Sequence, residues 1–422
     1  MTGQPAVRPR LLLSAYQCGP GMGSVSQIGW EWYSRMARRV PLTLVTHSRN
    51  RQALTAAGAP VCGSEIIYVN TEWFAGPLYR FASRLFPKSQ HAVFLVSSAD
   101  FFVYDSAALK HLRKRRKDWD IVHAVTPVSP VAATRLHRLG LPLILGPWNG
   151  GMQSPQTFPE IMTEDSAWMY RIRGFGKMLD SMFGTTKNAS LVLTATEFTT
   201  ASLPAHTRTR RMGENGVDLS IFQPVEWRAP EPAGPLRIVF VGRLIPVKGI
   251  PMLLDALVRI KGEFAVSLTI IGDGPLRDDL EKQVREKGLG DRVHLAGAKS
   301  LSEIAEYLRE AHVFCLPSVR ESGGAALMES LAAGIPALGV NYGGPAEIID
   351  DSVGRLLSAE GPEQLIGDIV AAFRDIMTNP VRWKQRGEAG RRRAEQQYGW
   401  EARIDAAMAI YGEMLAGQET HA

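Results

Sequence analysis

The sequence predicts an α/β protein built on two doubly wound parallel sheets, and three observations lead there. Apolar strand-like runs alternate with amphipathic stretches from one end of the chain to the other, the pattern of parallel strands joined by helical crossovers. The 422 residues exceed what one ordinary core accommodates, so two domains of about 200 residues each are expected. Near the middle, Pro224-Val225-Glu226-Trp227-Arg228-Ala229-Pro230-Glu231-Pro232-Ala233-Gly234-Pro235 carries four prolines and reads as the linker between them.

The elements follow in order. In the first half, strands are expected near Leu11 to Ser14, Leu42 to Val45, Glu65 to Val69, Asp120 to Val125, Leu141 to Leu145 and Leu191 to Thr194. In the second they fall near Leu236 to Val241, Ser267 to Ile271, Val293 to Leu295, Val313 to Leu316, Ala337 to Val340 and Gly354 to Leu357. No fixed-period repeat runs through the chain. Ligands of such sheets bind at the carboxyl ends of the strands, so the chemistry is expected there, in a cleft between the two domains.

Composition narrows the class. A chain that is 45% hydrophobic and 21% charged is globular rather than disordered. Cys18, Cys62 and Cys315 have no C-x-x-C spacing and leave one thiol over under any disulfide scheme, which points to a reducing, cytoplasmic compartment without structural zinc. The opening Arg8-Pro9-Arg10-Leu11-Leu12-Leu13 has the charged entry of a signal peptide, but its apolar run breaks at Gln17 and Gly19, and it reads as the first strand. The longest apolar candidate, Ala92 to Tyr104, is cut by Ser97, Ser98 and Asp100, short of the ~18 residues that span a bilayer.

Charge is unevenly shared. Residues 1–223 carry a net +11 and residues 224–422 a net −5, so the halves are expected to meet different partners. The densest basic run is Lys110-His111-Leu112-Arg113-Lys114-Arg115-Arg116-Lys117, and upstream of it Trp73 to Phe86 sets aromatics at near-helical spacing with Arg80 and Arg84 between them. Such a pair suits an anionic membrane surface; a solvated basic face beside a half-buried helix is the alternative. No nucleic-acid signature accompanies the run, and no nucleic-acid partner is expected.

The residues that carry chemistry lie mainly in the second half. Val239-Phe240-Val241-Gly242-Arg243-Leu244-Ile245-Pro246-Val247-Lys248 delivers a glycine and two cations from a strand end toward a helix. Arg grips two phosphate oxygens and Lys acts as a point charge, so the pair can neutralise a departing diphosphate. Ile270-Ile271-Gly272-Asp273-Gly274-Pro275 ends the next strand in a glycine turn. After the apolar run His312 to Leu316, Glu321-Ser322-Gly323-Gly324-Ala325-Ala326-Leu327-Met328-Glu329 forms a glycine turn leading into a helix. Its backbone N–H groups and helix dipole suit a phosphate. Glu321, before the helix, reaches what lies beyond the phosphates, and Glu329, one turn in, reaches a ribose. Taken alone, two such glutamates are as readily surface acids.

Gly242-Arg243-Leu244 with Lys248-Gly249, then Gly272-Asp273-Gly274-Pro275, then Pro317-Ser318 with Glu321-x7-Glu329 and Gly334-Ile335-Pro336, together resemble the carboxyl half of the family 4 retaining nucleotide-sugar glycosyltransferases, of the two-domain GT-B type. Asn215-Gly216-Val217-Asp218 and Tyr398-Gly399-Trp400-Glu401 resemble the family's entry into its second domain and its last helix. The resemblance implies a GT-B fold with two Rossmann-like domains: an acceptor-side domain of residues 1–223 plus 398–422, and a donor domain of residues 236–397, with 224–235 between. It implies Arg243 and Lys248 on the diphosphate, Glu321 on the donor sugar, Glu329 on the ribose, and backbone contacts from Gly242, Gly272, Ser322, Gly323, Gly324, Ala325 and Ala326. Gly323 stands where many members have a bulkier residue, which widens the room beside the sugar. Gly19-Pro20-Gly21-Met22-Gly23-Ser24 fails as a dinucleotide fingerprint but resembles the family's first glycine loop, placing Gly21 and Gly23 on the donor. His123, ending a strand, joins the catalytic set on the same resemblance; a hydrogen-bonded core histidine is the other reading.

The implied activity is retaining transfer of a sugar from a UDP- or GDP-sugar to an acceptor hydroxyl, on a sugar or lipid-linked acceptor in cell-envelope polysaccharide or glycolipid assembly. No Asp-x-Asp motif occurs, so no obligatory metal or cofactor is expected beyond the nucleotide sugar. The expected place is the cytoplasm, on the inner face of its membrane. A GT-B sugar-nucleotide epimerase or hydrolase and an inactive nucleotide-sugar-binding protein are the alternatives; a dinucleotide-dependent oxidoreductase is disfavoured by the failed fingerprint.

Overall fold

The computed structural model describes residues 8–85, 99–152, 155–162 and 178–419. They form two compact units. One is built on the chain up to Gly151, the segment ending at Glu214 and the tail from Ile404; the other takes Met152 and Asn215–Arg403.

The first unit holds a seven-stranded parallel sheet in the order β3-β2-β1-β4-β5-β6-β7. Its strands are β1 (Leu11–Ala15), β2 (Leu42–His47), β3 (Glu65–Val69), β4 (Ile121–Thr126), β5 (Leu143–Trp148), β6 (Leu191–Thr194) and β7 (Thr209–Arg211). Every residue of β1 is buried, as expected of a central parallel strand covered on both faces. Helix α1 (Ser24–Met36) follows β1 and buries Ile28, Trp32, Tyr33 and Met36. Helices α2 (Glu72–Leu85) and α3 (Asp100–Leu112) pack on each other. Strand β7 has no counterpart in the sequence reading, because an edge strand of Thr209-Arg210-Arg211 shows no apolar run; Arg210 and Arg211 are exposed.

The second unit is a six-stranded parallel sheet ordered β10-β9-β8-β11-β12-β13, from β8 (Leu236–Val241), β9 (Val266–Ile271), β10 (Val293–Gly297), β11 (Val313–Leu316), β12 (Ala337–Val340) and β13 (Gly354–Leu357). Chain order runs outward from β8 through β9 to β10, then jumps back to β11 beside β8. That places a topological switch point between β8 and β11, where ligands of such sheets bind. Helix α4 (Ile250–Arg259) lays Ile250, Leu253, Leu254 and Leu257 into the core. Helix α5 (Ala325–Ala332) connects β11 to β12, and α6 (Pro362–Thr378) and α7 (Pro380–Arg393) follow β13.

The proline-rich stretch is not a free linker. Trp227 is buried in the core of the second unit and donates from Nε1 to the His312 carbonyl at 2.8 Å, while Val225 N–H donates to the Ala333 carbonyl at 3.2 Å. Prolines signal irregular backbone, not absence of packing, so the second unit begins earlier, at Asn215. Its other end lies later than 398. Val217 N–H donates to the Tyr398 carbonyl at 2.8 Å and Trp400 N–H to the Val217 carbonyl at 3.1 Å, which holds this segment in the second unit. The final helix α8 (Trp400–Glu419) joins the first unit from Ile404 onward.

Candidate functional site

The loops leaving the carboxyl ends of β8, β9, β11 and β12 are knitted together by backbone. Gly242 N–H donates to the Ile271 carbonyl at 2.9 Å, and Leu244 N–H to the Asp273 carbonyl at 3.0 Å. Gly272 must be glycine on two counts: its φ is +137°, and a methyl group there would stand 1.9 Å from the Gly242 carbonyl oxygen. Val319 N–H donates to the Val247 carbonyl at 2.9 Å, and Ser318 Oγ to the same oxygen at 3.1 Å. Gly344 N–H, after β12, donates to the Glu321 carbonyl at 2.8 Å. Four separate stretches of sequence therefore hold one rigid rim at the switch point.

Onto that rim the structure brings Lys248 and Glu321. Lys248 Nζ is ion-paired with Glu321 Oε2, both side chains less than a fifth exposed, and Lys248 crosses Gly242, whose ideal Cβ position lies 3.7 Å from the lysine Cε. The other carboxyl oxygen of Glu321 accepts from Gly324 N–H at 3.3 Å. Gly324 adopts left-handed φ +58° as the N-cap of α5 and supplies no side-chain cap. The first intrahelical bonds run from Leu327 and Met328 to the Gly324 carbonyl, at 3.0 and 3.1 Å. The N–H groups of Ala325 and Ala326 precede them and point into a helix start with no acid in its first turn. Glu321 thus serves as the local anion at the positive end of the helix.

Glu329 lies in the second turn of α5, partly buried. Its carboxyl makes no hydrogen bond among the described residues, and burial pushes it up to about 7. A half-buried acceptor without a donor is costly and matches a ligand that brings hydroxyl donors. Arg243 is exposed, and its guanidinium makes no ion pair or hydrogen bond among the described residues. Ser322 and Gly323 are half-buried in the turn between Glu321 and the helix.

The remaining expectations fall in the first unit. Gly21 and Gly23 are exposed, at φ +74° and +104°, in the loop between β1 and α1. His123 does not belong with a catalytic set. It is fully buried on β4, its Nδ1 shares a hydrogen bond of 2.6 Å with the Tyr411 hydroxyl and its Nε2 one of 2.7 Å with the Gly146 carbonyl. Burial holds it down to about 4, so it is a neutral, doubly satisfied core residue. Its partner Tyr411 comes from α8, 288 positions away, which no local pattern reveals.

Sequence reasoning missed the Gly343-Gly344 turn, although a glycine pair just after the apolar β12 was a readable signal. It also missed a polar set at the carboxyl ends of β1 and β2. There the Tyr16 hydroxyl donates to Asp100 Oδ1 at 2.5 Å, Arg49 Nη2 donates to Asp100 Oδ2 at 2.6 Å, and His47 Nε2 bonds the Thr71 hydroxyl at 2.9 Å. Four segments contribute, none with a motif.

Residues 224–393 match the family model for Glycosyl transferases group 1. Among curated proteins, the chain is similar to the MMP alpha-(1->4)-mannosyltransferase of Mycolicibacterium hassiacum, at 29% identity over 204 residues, covering 48% of this chain and 47% of that protein. It is similar to the putative colanic acid biosynthesis glycosyltransferase WcaL of Escherichia coli K12, at 32% identity over 173 residues, covering 39% and 42% respectively. The chain spans about half the length of the curated relatives it matches. Among solved structures, Anabaena HepE in complex with UDP superposes with a TM-score of 0.63 at 16% identity, over 96% of this chain and 99% of that one. The likeness is one of fold: two Rossmann-like parallel sheets of the GT-B type.

Proposed function

We propose that this chain, whose residues 224–393 match the group 1 glycosyl transferases, moves a sugar from a nucleoside diphosphate sugar to an acceptor hydroxyl with retention of anomeric configuration. The observation that carries the reading is the Lys248–Glu321 ion pair beside the open start of α5. A bound diphosphate competes with Glu321 for Lys248 and for the helix N–H groups, and takes Arg243 from solvent. Glu321, released from the lysine, then faces the donor sugar's hydroxyls, while Glu329 takes the ribose diol. The charge that develops as the diphosphate departs is thereby stabilised by groups already in place. The acceptor oxygen attacks the anomeric carbon from the face the diphosphate leaves, the bond to the phosphate oxygen breaks, and the acceptor proton passes to that phosphate. In the first unit, Gly21 and Gly23 offer backbone to a substrate, and His123 takes no part.

UDP is the favoured nucleotide, since HepE is seen with UDP; a role in polysaccharide or glycolipid assembly is supported by the description of WcaL. The membrane is the proposed location of the acceptor. Trp73, Tyr79, Phe81 and Leu85 of α2 are each more than half exposed, and Lys110, Arg113, Lys114, Arg116 and Lys117 are exposed at the end of α3 and in the turn after it. Phe86 lies outside the described residues. No helix among the described residues is long and apolar enough to cross a bilayer; the contact proposed here is a peripheral one.

The deciding experiment offers UDP-glucose, UDP-galactose, UDP-N-acetylglucosamine and GDP-mannose to the protein, with and without lipid extracts, and follows the products by NMR. Transfer or slow hydrolysis with the anomeric configuration kept is expected. Epimerised nucleotide sugar without transfer establishes the epimerase reading instead, and binding with no turnover of any donor establishes a binding protein.

A further inference from the structure

Beside the amino end of β13, away from the carboxyl-end loops just described, the second unit carries an open pocket of about 600 Å³. Asp351, Arg355, Arg374, Asp375, Arg382 and Arg386 line it. Its volume falls within the roughly 300–1,000 Å³ of small-molecule sites. Four arginines face two aspartates, and the lining stays net positive even after Glu263 pairs with Arg374 at 2.6 Å. The guanidinium groups of Arg355 and Arg382 have neither ion pair nor hydrogen bond among the described residues.

Arg386 is the most telling member. Its side chain is only 3% exposed, its guanidinium stacks on the Trp383 ring at 4.4 Å, and two of its nitrogens are spent on Asp351: Nε to the carbonyl at 3.0 Å and Nη2 to Oδ1 at 3.3 Å. The third, Nη1, is buried without a hydrogen-bond partner. The Asp375 Oδ2 oxygen lies 3.9 Å from it, and that carboxylate already accepts from Trp383 Nε1 at 2.9 Å and Asn379 Nδ2 at 2.7 Å. Burial, reinforced by the nearby charge of Arg382, holds Arg386 below the usual guanidinium range despite the two aspartates. A desolvated guanidinium with an idle N–H among like charges is an unfavourable arrangement on its own. An anion cancels that cost.

We infer that the pocket bounded by Arg355, Arg382 and Arg386 binds a soluble phosphate-bearing anion, at a site distinct from the donor loops. The planar guanidinium fork matches phosphate oxygens in pairs, and the volume beyond one phosphate leaves room for a small phosphomonoester.

The test uses inorganic phosphate on the whole chain, read by thermal unfolding at constant ionic strength against chloride. Three proteins are compared: wild type, Lys248→Ala, and the double variant Arg355→Gln/Arg382→Gln, in which Arg386 and the core remain untouched. Saturating phosphate is expected to raise Tm by roughly 2–4 °C or more in the first two, and titration should show affinity roughly tenfold or more weaker in the double variant. A phosphate response lost in Lys248→Ala but kept in the double variant assigns the anion to the donor loops and overturns the inference. So does an equal response in all three, or none in wild type.

Discussion

At the scale of single residues, the proposed division of the donor among Lys248, Glu321 and Glu329 can be measured part by part. Because Lys248 is engaged by Glu321, Lys248→Ala should weaken UDP roughly tenfold or more while leaving uridine affinity almost unchanged; calorimetry giving equal losses for both would refute the diphosphate role. Glu321→Gln removes the competitor for that lysine. Turnover should fall by about 10²–10³, while UDP binding holds or tightens, and a marked loss of UDP affinity would mean that Glu321 holds the nucleotide instead. Glu329 titrates near 7 because burial disfavours its charge. A folded value above the unfolded one makes its stability contribution fully present below about pH 4.5, lost as pH rises through 7. Under the proposed ribose contact, nucleotide affinity runs the other way, since only the carboxylate is a pure acceptor for both ribose hydroxyls. The ratio of wild-type to Glu329→Gln affinity for UDP should therefore rise between pH 6 and pH 8, and a flat ratio removes Glu329 from the ribose.

At the scale of elements, α5 is a short helix whose start is set by one glycine. Gly324 sits at φ +58°, and a methyl group on it would come within 2.5 Å of Ile348 Cδ1. Gly324→Ala should cost about 1–3 kcal/mol in folding stability, seen as a lowered Tm, and should also weaken UDP because the N–H of residue 324 and the start of α5 shift together. A Tm within error of wild type would show that the turn tolerates the change. The glycine was legible in the sequence because a strand, a glycine pair and helix-forming residues follow one another within a dozen positions. The knitting of that turn to the Gly242, Gly272 and Gly344 loops was not, because those partners lie tens of residues away along the chain. Strand β7 was invisible for a different reason: at a sheet edge, exposed arginines satisfy the backbone ladder without burying any apolar surface.

At the scale of the whole molecule, charge is the property that reaches furthest. The +11 of residues 1–223 against the −5 of residues 224–422 is what the proposed contact with an anionic membrane rests on. Each basic side chain near an anionic surface contributes about 1 kcal/mol. Arg115 is partly committed, being paired with Glu65 and Asp118, so the proposed attraction falls to Arg113, Lys114, Arg116 and the exposed aromatics of α2. The protein should float with anionic vesicles at low salt, stay behind with neutral ones, and release at high salt as screening shortens the interaction. Changing Arg113, Lys114 and Arg116 to Ser should abolish flotation. Unchanged flotation, or none at low salt, reduces the basic run to a solvated face.

Local pattern along the chain is enough for the two doubly wound sheets, twelve of the thirteen strands among the described residues, and the pairing of cations with a glycine turn and two glutamates. All of these are written in local periodicity and short-range spacing, which burial of apolar faces translates directly into strands and helices. Only the tertiary structure decided what depends on residues distant in sequence. His123 is a core residue because Tyr411 and Gly146 occupy both its nitrogens. Residues 224–235 belong to the second unit because Trp227 finds its core. Arg386 has an idle N–H because the Asp375 carboxylate, held by Trp383 and Asn379, stays 3.9 Å away from it. Hydrogen bonds and ion pairs are decided by which groups meet in space and which are left over, and neither is recorded in the order of residues along the chain.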